Sequence, residues 1–193
     1  VREWDGRSIR RKSEIDPKEY HVFPTPDLIE LSPLEGESIA EEFEIVAMGF
    51  NWSSDWKDYK DHESWEDKPL LPVARGSSIT KEGKFVVEAR INYELLESEG
   101  AITRMCNFEL HSSSKPRLIL TDISQTIKVA FVDEPALPMN SVKVIFHSED
   151  DEDRLMELRN YLRTEDALAR LKRGSPNIHL TKSNLETIRL RRK

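Results

Sequence analysis

Five histidines (His21, His62, His111, His147, His179), one cysteine and 36 Asp and Glu residues are the groups of this 193-residue chain that could hold a metal or move a proton. Their spacing does not assemble them. No H-x-x-x-H pair and no H-E-x-x-H occurs, so no single helix turn presents two imidazoles to a zinc ion. Glu149 to Asp153 is a run of five carboxylates. On a helix such a run points around the cylinder, and the D-x-D-x-D-G order that converges on calcium is absent. The G-x-S-x-G, G-x-x-x-x-G-K-[ST] and G-x-G-x-x-G signatures of nucleophilic and phosphate-binding turns are missing too. Cys106 falls on the apolar face of an expected strand, where a thiol is buried and inert. Asp122, inside an otherwise apolar stretch, needs a cationic partner such as Arg104 or Arg117. The expectation is a non-enzymatic chain with no catalytic residues, no metal and no cofactor.

Binding chemistry is better represented. Asn51 to Lys68 (NWSSDWKDYKDHESWEDK) carries Trp52, Trp56, Tyr59 and Trp65 among six carboxylates, and so holds three of the four tryptophans. Large aromatics are costly to expose and dominate interface energetics, while surrounding acids steer a basic partner. The same aromatics could equally fold back over a core and leave the acids solvated. Tyr20 and Phe23 lie in a segment containing Pro17, Pro24, Pro26 and Pro33, which precludes a continuous helix. Its apolar content is too high for a solvated tail and suits an arm laid across a domain or partner. Two basic clusters close the inventory: Arg7, Arg10, Arg11 and Lys12 near one end, and Arg189, Arg191, Arg192 and Lys193 at the other. Solvated tail charge accounts for them, as does an anionic partner or a nuclear-import signal.

Composition narrows the classes. With 36 acids against 29 bases the net charge is −7, which disfavours a nucleic-acid groove as the principal function. No apolar run reaches about 18 residues, so no membrane span is expected. Residues 1–12 lack the apolar stretch of a secretory signal. The chain opens on Val1 rather than Met, as an excised or processed product would. A single cysteine excludes an internal disulfide framework and favours a reducing, intracellular compartment, nucleus or cytoplasm.

The elements that must position these residues follow from periodicity. Phe43 to Phe50 is apolar on both sides apart from Glu44, as in a strand covered on two faces. Phe85 to Leu95 alternates strictly and predicts one long strand, turned by Leu96 to Gly100 into a second over Ile102 to Leu110. Arg117 to Ile123, Thr126 to Val132 and Val142 to Phe146 are shorter strands, with Asp133 to Pro138 a loop between the last two. The period then changes. Ser148 is the expected N-cap, the five acids favour the positive end of a helix dipole, and Leu155, Leu158, Tyr161 and Leu162 form one stripe. Thr164-Glu165-Asp166 resembles a second cap and predicts a break near Arg163. Gly174 and Pro176 stop the helix.

Val142 to Leu162 (VKVIFHSEDDEDRLMELRNYL) resembles the closing strand and helix of pleckstrin-homology-like domains, with Tyr161 the only aromatic late in the helix. The resemblance implies a mainly β fold with a C-terminal helix: an antiparallel barrel or sandwich of that type, with extended N- and C-terminal arms. Phosphoinositide-binding members place bases around the first hairpin loop, whereas Leu96 to Gly100 carries two glutamates and no base. The resemblance therefore implies a scaffold that binds protein rather than an inositol phosphate. The expected organisation is an arm over 1–35, a β-rich domain over 36–174 closed by the helix, and a basic tail over 175–193. The expected role is a protein-interaction scaffold or adaptor in an intracellular assembly. The alternative is a nucleic-acid-associated factor using the basic arms.

Overall fold

Val142–His147 is a strand in which all six side chains are buried, so apolar material must cover it on both sides. The computed structural model describes residues 2–4, 9–11, 36–46, 70–92, 98, 108–124, 126–171 and 178–191. The chain divides into two compact units, Val1–Pro33 and Leu34–Lys193. In the first, β1 (Arg2–Trp4) and β2 (Ile9–Arg11) pair antiparallel, with Arg2 opposite Arg11.

The second unit opens with β3 (Glu37–Ser38), β4 (Phe43–Val46), β5 (Leu70–Ala74) and β6 (Arg90–Asn92). A short helix α1 (Phe108–Ser112) precedes β7 (Arg117–Thr121), β8 (Ile123–Ser124), β9 (Val129–Val132), β10 (Leu137–Pro138) and β11 (Val142–His147). Then come α2 (Glu152–Leu162), α3 (Glu165–Leu171), β12 (Ile178–His179), α4 (Lys182–Glu186) and β13 (Arg189–Leu190). The fold is mainly β with several antiparallel sheets and a C-terminal helical segment.

The central sheet has the order β4-β11-β7-β9, all antiparallel. Register sorts its side chains cleanly. Phe43, Ile45, Ile145, Leu118, Leu120 and Val129 share one face, and onto it pack Leu155, Leu158 and Leu162 of α2. Each fully buried leucine contributes roughly 1.5–3 kcal/mol. On the other face Ile119, Ala130, Val132 and Val142 meet Ala74 of β5, in the smaller sheet β10-β5-β6, together with Ile79 and Ala136 from the segments beside that sheet. The described strands form no closed barrel.

Several expectations change. Of the strand expected over Phe85 to Leu95, the described residues show a ladder at Arg90–Asn92 and a single bridge between Phe85 and Ile79, while residues 93–95 lie outside the described residues. Burial still alternates, with Ala89 and Ile91 inward and Val86 and Glu88 outward. The backbone, however, changes partner along the way: Val86 N–H donates to Ser78 and the Ala89 carbonyl accepts from Val73. Its ladder partner among the described residues is β5; of the segment expected to pair with it beyond Gly100, Phe108–Ser112 is helical and residues 101–107 lie outside the described residues. β5 escapes a pattern search because it contains Pro72. With the Val73 N–H turned toward Ala89, the Pro72 nitrogen faces the other side, where pairing with β10 begins only at Val73. β10, inside the expected loop, pairs parallel to β5.

The helical region follows expectation more closely. α2 ends at Leu162, Arg163 is its C-cap, and the Thr164 hydroxyl accepts the Ala167 N–H to start α3. The N-cap is Asp151, whose carboxylate accepts the Arg154 N–H, rather than Ser148. Residues 178–191, expected as a basic tail, add Leu180, Leu185, Ile188 and Leu190 to the core. They return through β12 on β8 and β13 on β3. Gly36 makes the second return feasible: its φ is +109°, and a Cβ there would collide with the Leu190 backbone. Gly36→Ala should therefore cost about 1–3 kcal/mol or more. The check is the urea midpoint, and an unchanged midpoint would show that the β3–β13 closure does not contribute to stability.

Candidate functional site

The junction between β11 and α2 carries the densest polar geometry among the described residues. Past His147 the chain turns through Asp150, whose φ of 58° lies in the left-handed region that Asp tolerates better than most residues. That turn brings the Glu149 and Asp151 N–H groups, each at 3.1 Å, onto Nδ1 of His147. Nδ1 is therefore the acceptor, so the ring proton sits on Nε2, which donates to Glu42 Oε1 at 3.1 Å. The imidazole also meets Phe43 edge-on, with ring centroids 5.1 Å apart.

Glu42 is the hub. Arg154 grips it with Nε on Oε1 and Nη2 on Oε2, both at 2.6 Å, a bidentate clamp. Arg154 Nη1 continues to Glu157 at 2.7 Å and to the Arg191 carbonyl at 3.2 Å. The Arg154 hydrogen bond, stronger than the opposing desolvation, holds the Glu42 carboxyl down at about 2, and the His147 bond adds to it. The same bond raises Arg154 above its ordinary value. Beside this knot opens a cleft of about 320 Å³, rimmed by Glu41, Ser148, Glu149 and Asp151.

Chemically the knot is closed on itself. The His147 lone pair is held by two backbone donors, so the ring offers no free base. Arg154 is neutralised by Glu42 and Glu157. What remains facing the cleft is surplus negative charge.

A second buried polar group lies on the opposite sheet face. Arg117, fully buried, donates through Nε to the Lys115 carbonyl (2.9 Å) and through its terminal nitrogens to the carbonyls of His111 (2.9 Å) and Ser113. Its guanidinium lies 4.8 Å from the Phe146 ring centroid. Burial draws it down to about 10. His111, equally buried, has neither ring nitrogen hydrogen-bonded. Desolvation, then the Arg117 charge, lowers it to about 4. Asp122 pairs with Lys143 at 3.2 Å, not with Arg117, and Arg104 lies outside the described residues.

Trp52, Trp56, Tyr59, Trp65, Tyr20, Phe23, Arg7, Lys12, Arg192, Lys193 and Cys106 lie outside the described residues. Arg10 and Arg11 belong to β2. Arg189 lies in β13, with Nη1 on the Gly36 carbonyl at 3.3 Å, and Arg191 follows that strand. The Glu42–His147–Arg154 knot was absent from the sequence expectations because Glu42 lies 112 residues from Arg154. The one local signal is an arginine within the acidic first turns of a helix. Among the described residues no three His, Cys, Asp or Glu side chains gather as metal ligands, and no helix is long and apolar enough to cross a membrane. The chain matches no protein-family model and shows no significant similarity to a curated protein.

Both groups titrate out of the fold in acid. Unfolded His111 takes a proton near its ordinary 6.5 while the folded ring resists to about 4, so this part of the stability falls as pH drops through that window. Glu42, ordinarily 4.5, contributes stability that is lost between there and about 2. Denaturant midpoints measured against pH should show two limbs. His111→Phe should flatten the upper limb, and Glu42→Gln the lower one while costing roughly 1.5–3 kcal/mol at neutral pH. A curve unchanged in either variant would refute that assignment.

Proposed function

We propose that the chain is a non-enzymatic protein-interaction module of the pleckstrin-homology-like type, a scaffold or adaptor in an intracellular assembly. The observation that carries this reading is the closed knot beside the acidic cleft. Side chains that would otherwise do acid–base chemistry are engaged with one another and with backbone. Their bonds fix the backbone at Glu149 and Asp151, and with Glu41 these residues give the cleft a negative rim. A rim of one sign favours encounter with a basic segment and selects against acidic ones. The aromatic, acid-rich segment holding Trp52, Trp56, Tyr59 and Trp65 has the same partner preference by composition.

A fluorescent lysine- and arginine-rich peptide tests the reading. Glu41→Lys with Glu149→Lys should weaken its binding at least tenfold, about 1.4 kcal/mol, with the melting temperature little changed because both residues are exposed. Trp56→Ala with Trp65→Ala should weaken capture of the native partner from cell extract while the fold persists. Equal peptide binding by the charge-reversed protein would refute the cleft as the docking surface.

One observation favours the nucleic-acid alternative: β1 and β2 pair with Arg2 in register with Arg11 and Glu3 with Arg10, which gathers three basic positions on one short ribbon. Deleting residues 1–12 isolates that reading. Truncation at 189 would not, because Leu190 is part of the core. Oligonucleotide binding that falls steeply with salt and disappears on the N-terminal deletion would support it, and binding retained without residues 1–12 would overturn it.

A further inference from the structure

Six cations among the described residues pair with carboxylates: Arg75 with Glu88, Lys115 with Asp150, Lys143 with Asp122, Arg154 with Glu42 and Glu157, Arg170 with Asp166, and Lys182 with Glu186. Arg159 and Arg163 are not among them. They lie four residues apart in the last turn of α2 and at its C-cap, on one side of the helix. Among the described residues no carboxylate pairs with either.

The turn Thr80–Lys84 faces them. It is closed by the Gly83 N–H on the Thr80 carbonyl (3.1 Å), the Thr80 N–H on the Lys84 carbonyl (3.0 Å) and the Lys84 N–H on the Thr80 hydroxyl (3.2 Å). Gly83 has φ +77° and is buried, and a Cβ on it would lie 2.5 Å from the Val129 carbonyl oxygen. That same point is 3.0 Å from Arg159 Nη2 and 3.5 Å from Arg163 Nη1. Two guanidinium ends thus converge on one glycine. Arg159 Nη2 donates to the Gly83 carbonyl at 3.1 Å, while its Nε–H is buried without an acceptor. Lys81 and Lys84 are exposed on the same turn.

Two local features offset part of this charge, and neither removes it. Glu82 is in the turn, but its carboxylate is held by its own backbone N–H and the Thr80 hydroxyl, and lies between Lys81 and Lys84. The negative end of α2 attracts cations, yet the Asn160 and Tyr161 carbonyls already accept the Arg163 and Thr164 N–H groups. The juxtaposition is also felt by Arg159: burial first, then the Arg163 charge, pulls its proton affinity down.

We propose that the Thr80–Lys84 turn and the C-terminal end of α2 form a binding site for a phosphoryl group carried on a protein segment. Two converging guanidinium groups flanked by lysines suit a compact dianion with three acceptor oxygens. The cations meet at one focus rather than along a stripe, as a row of nucleic-acid phosphates would require. A net charge of −7 repels extended polyanions and anionic bilayers, but tolerates one phosphoryl group delivered to a local patch. The site is independent of the acidic cleft: Arg154 opens α2 there, whereas Arg159 and Arg163 close it here.

The test is an NMR titration of the isotope-labelled full chain with a glycine-flanked phosphoserine peptide, in which the phosphoryl group is the only side-chain charge. Its serine twin and a single-stranded oligonucleotide are the other arms. The Gly83, Lys84 and Arg163 amides should shift and saturate with the phosphopeptide and stay still with the twin. Arg163→Gln with Lys84→Gln should weaken binding about tenfold or more. Both residues are exposed, so the amide spectrum elsewhere should be retained. Arg159 is left intact because it anchors Gly83, and Lys182→Gln, which removes a cation on α4, should change nothing. Absence of saturable shifts, equal binding by the double variant, an effect of Lys182→Gln as large, or tighter binding of the oligonucleotide would each overturn the proposal.

Discussion

A strand with six buried side chains in succession constrains everything near it. β11 places Val142, Val144 and Phe146 on one face and Lys143, Ile145 and His147 on the other, and both faces are dry. Covering the second face requires the leucine stripe of α2, because the chain leaves β11 with only four residues before the helix begins. Covering the first requires a second apolar layer, which β5, β10 and the Ile79 region provide. The two polar residues on the helix side then become the conditions for the whole arrangement. Lys143 at one end needs Asp122, and His147 at the other needs Glu42 and the turn that follows it. A buried polar group without a partner costs about 1–3 kcal/mol, so these ends fix register as much as the apolar residues between them do.

Three buried cations show different ways of meeting that cost. Lys143 and Asp122 are both nearly buried and neutralise each other as a simple pair. Arg154 is held by two carboxylates and a carbonyl, so its charge is compensated and its orientation set by the planar fork. Arg117 has carbonyl dipoles and an aromatic face, which satisfy its donors without cancelling its charge. That difference accounts for the opposite effects of environment on the two arginines. Carboxylate bonds outweigh burial at Arg154, whereas burial dominates at Arg117. It also adds to the effect of burial on His111, which is desolvated first and then faces an uncompensated cation, so that the ring is held neutral to about 4.

What was legible in the chain was what depends on near neighbours. The leucine stripe of α2, the break before Glu165 and, within the strand expected over Phe43 to Phe50 (residues 47–50 lie outside the described residues), the burial of Phe43, Ile45 and Val46 around an exposed Glu44 are all functions of spacing within a few residues, and period alone reveals them. Phe85 to Ile91 shows the limit: its alternation correctly sorts inward from outward side chains, but alternation reports burial and says nothing about hydrogen bonds. β5 was hidden by a proline whose placement is harmless only because of how two other strands meet it. The N-cap moved from Ser148 to Asp151 because His147 Nδ1 draws the intervening backbone into a turn, and that acceptor is recruited by Glu42 from the far end of the domain. The knot and the cation pair around Gly83 both join residues more than 70 positions apart, and no local pattern encodes such a meeting.

The same long-range bonds give α2 its orientation. Arg154 ties the first turn to Glu42 and the Arg191 carbonyl, and Leu155, Leu158 and Leu162 seat one side of the helix on the sheet. With rotation fixed at that end, Arg159 and Arg163 have no freedom to face elsewhere. One residue of slippage would turn them by about 100° around the axis. They are delivered to the edge of the sheet beside β9, where the absence of a side chain on Gly83 leaves room for their guanidinium ends. The helix therefore carries surplus negative charge at its start and surplus positive charge at its end. From Arg154 to Arg163, at about 1.5 Å per residue, the two regions lie roughly 13 Å apart along the axis. Because the helix is rigid, that separation is a fixed property of the fold, and opposite charge at its ends gives the surface a direction.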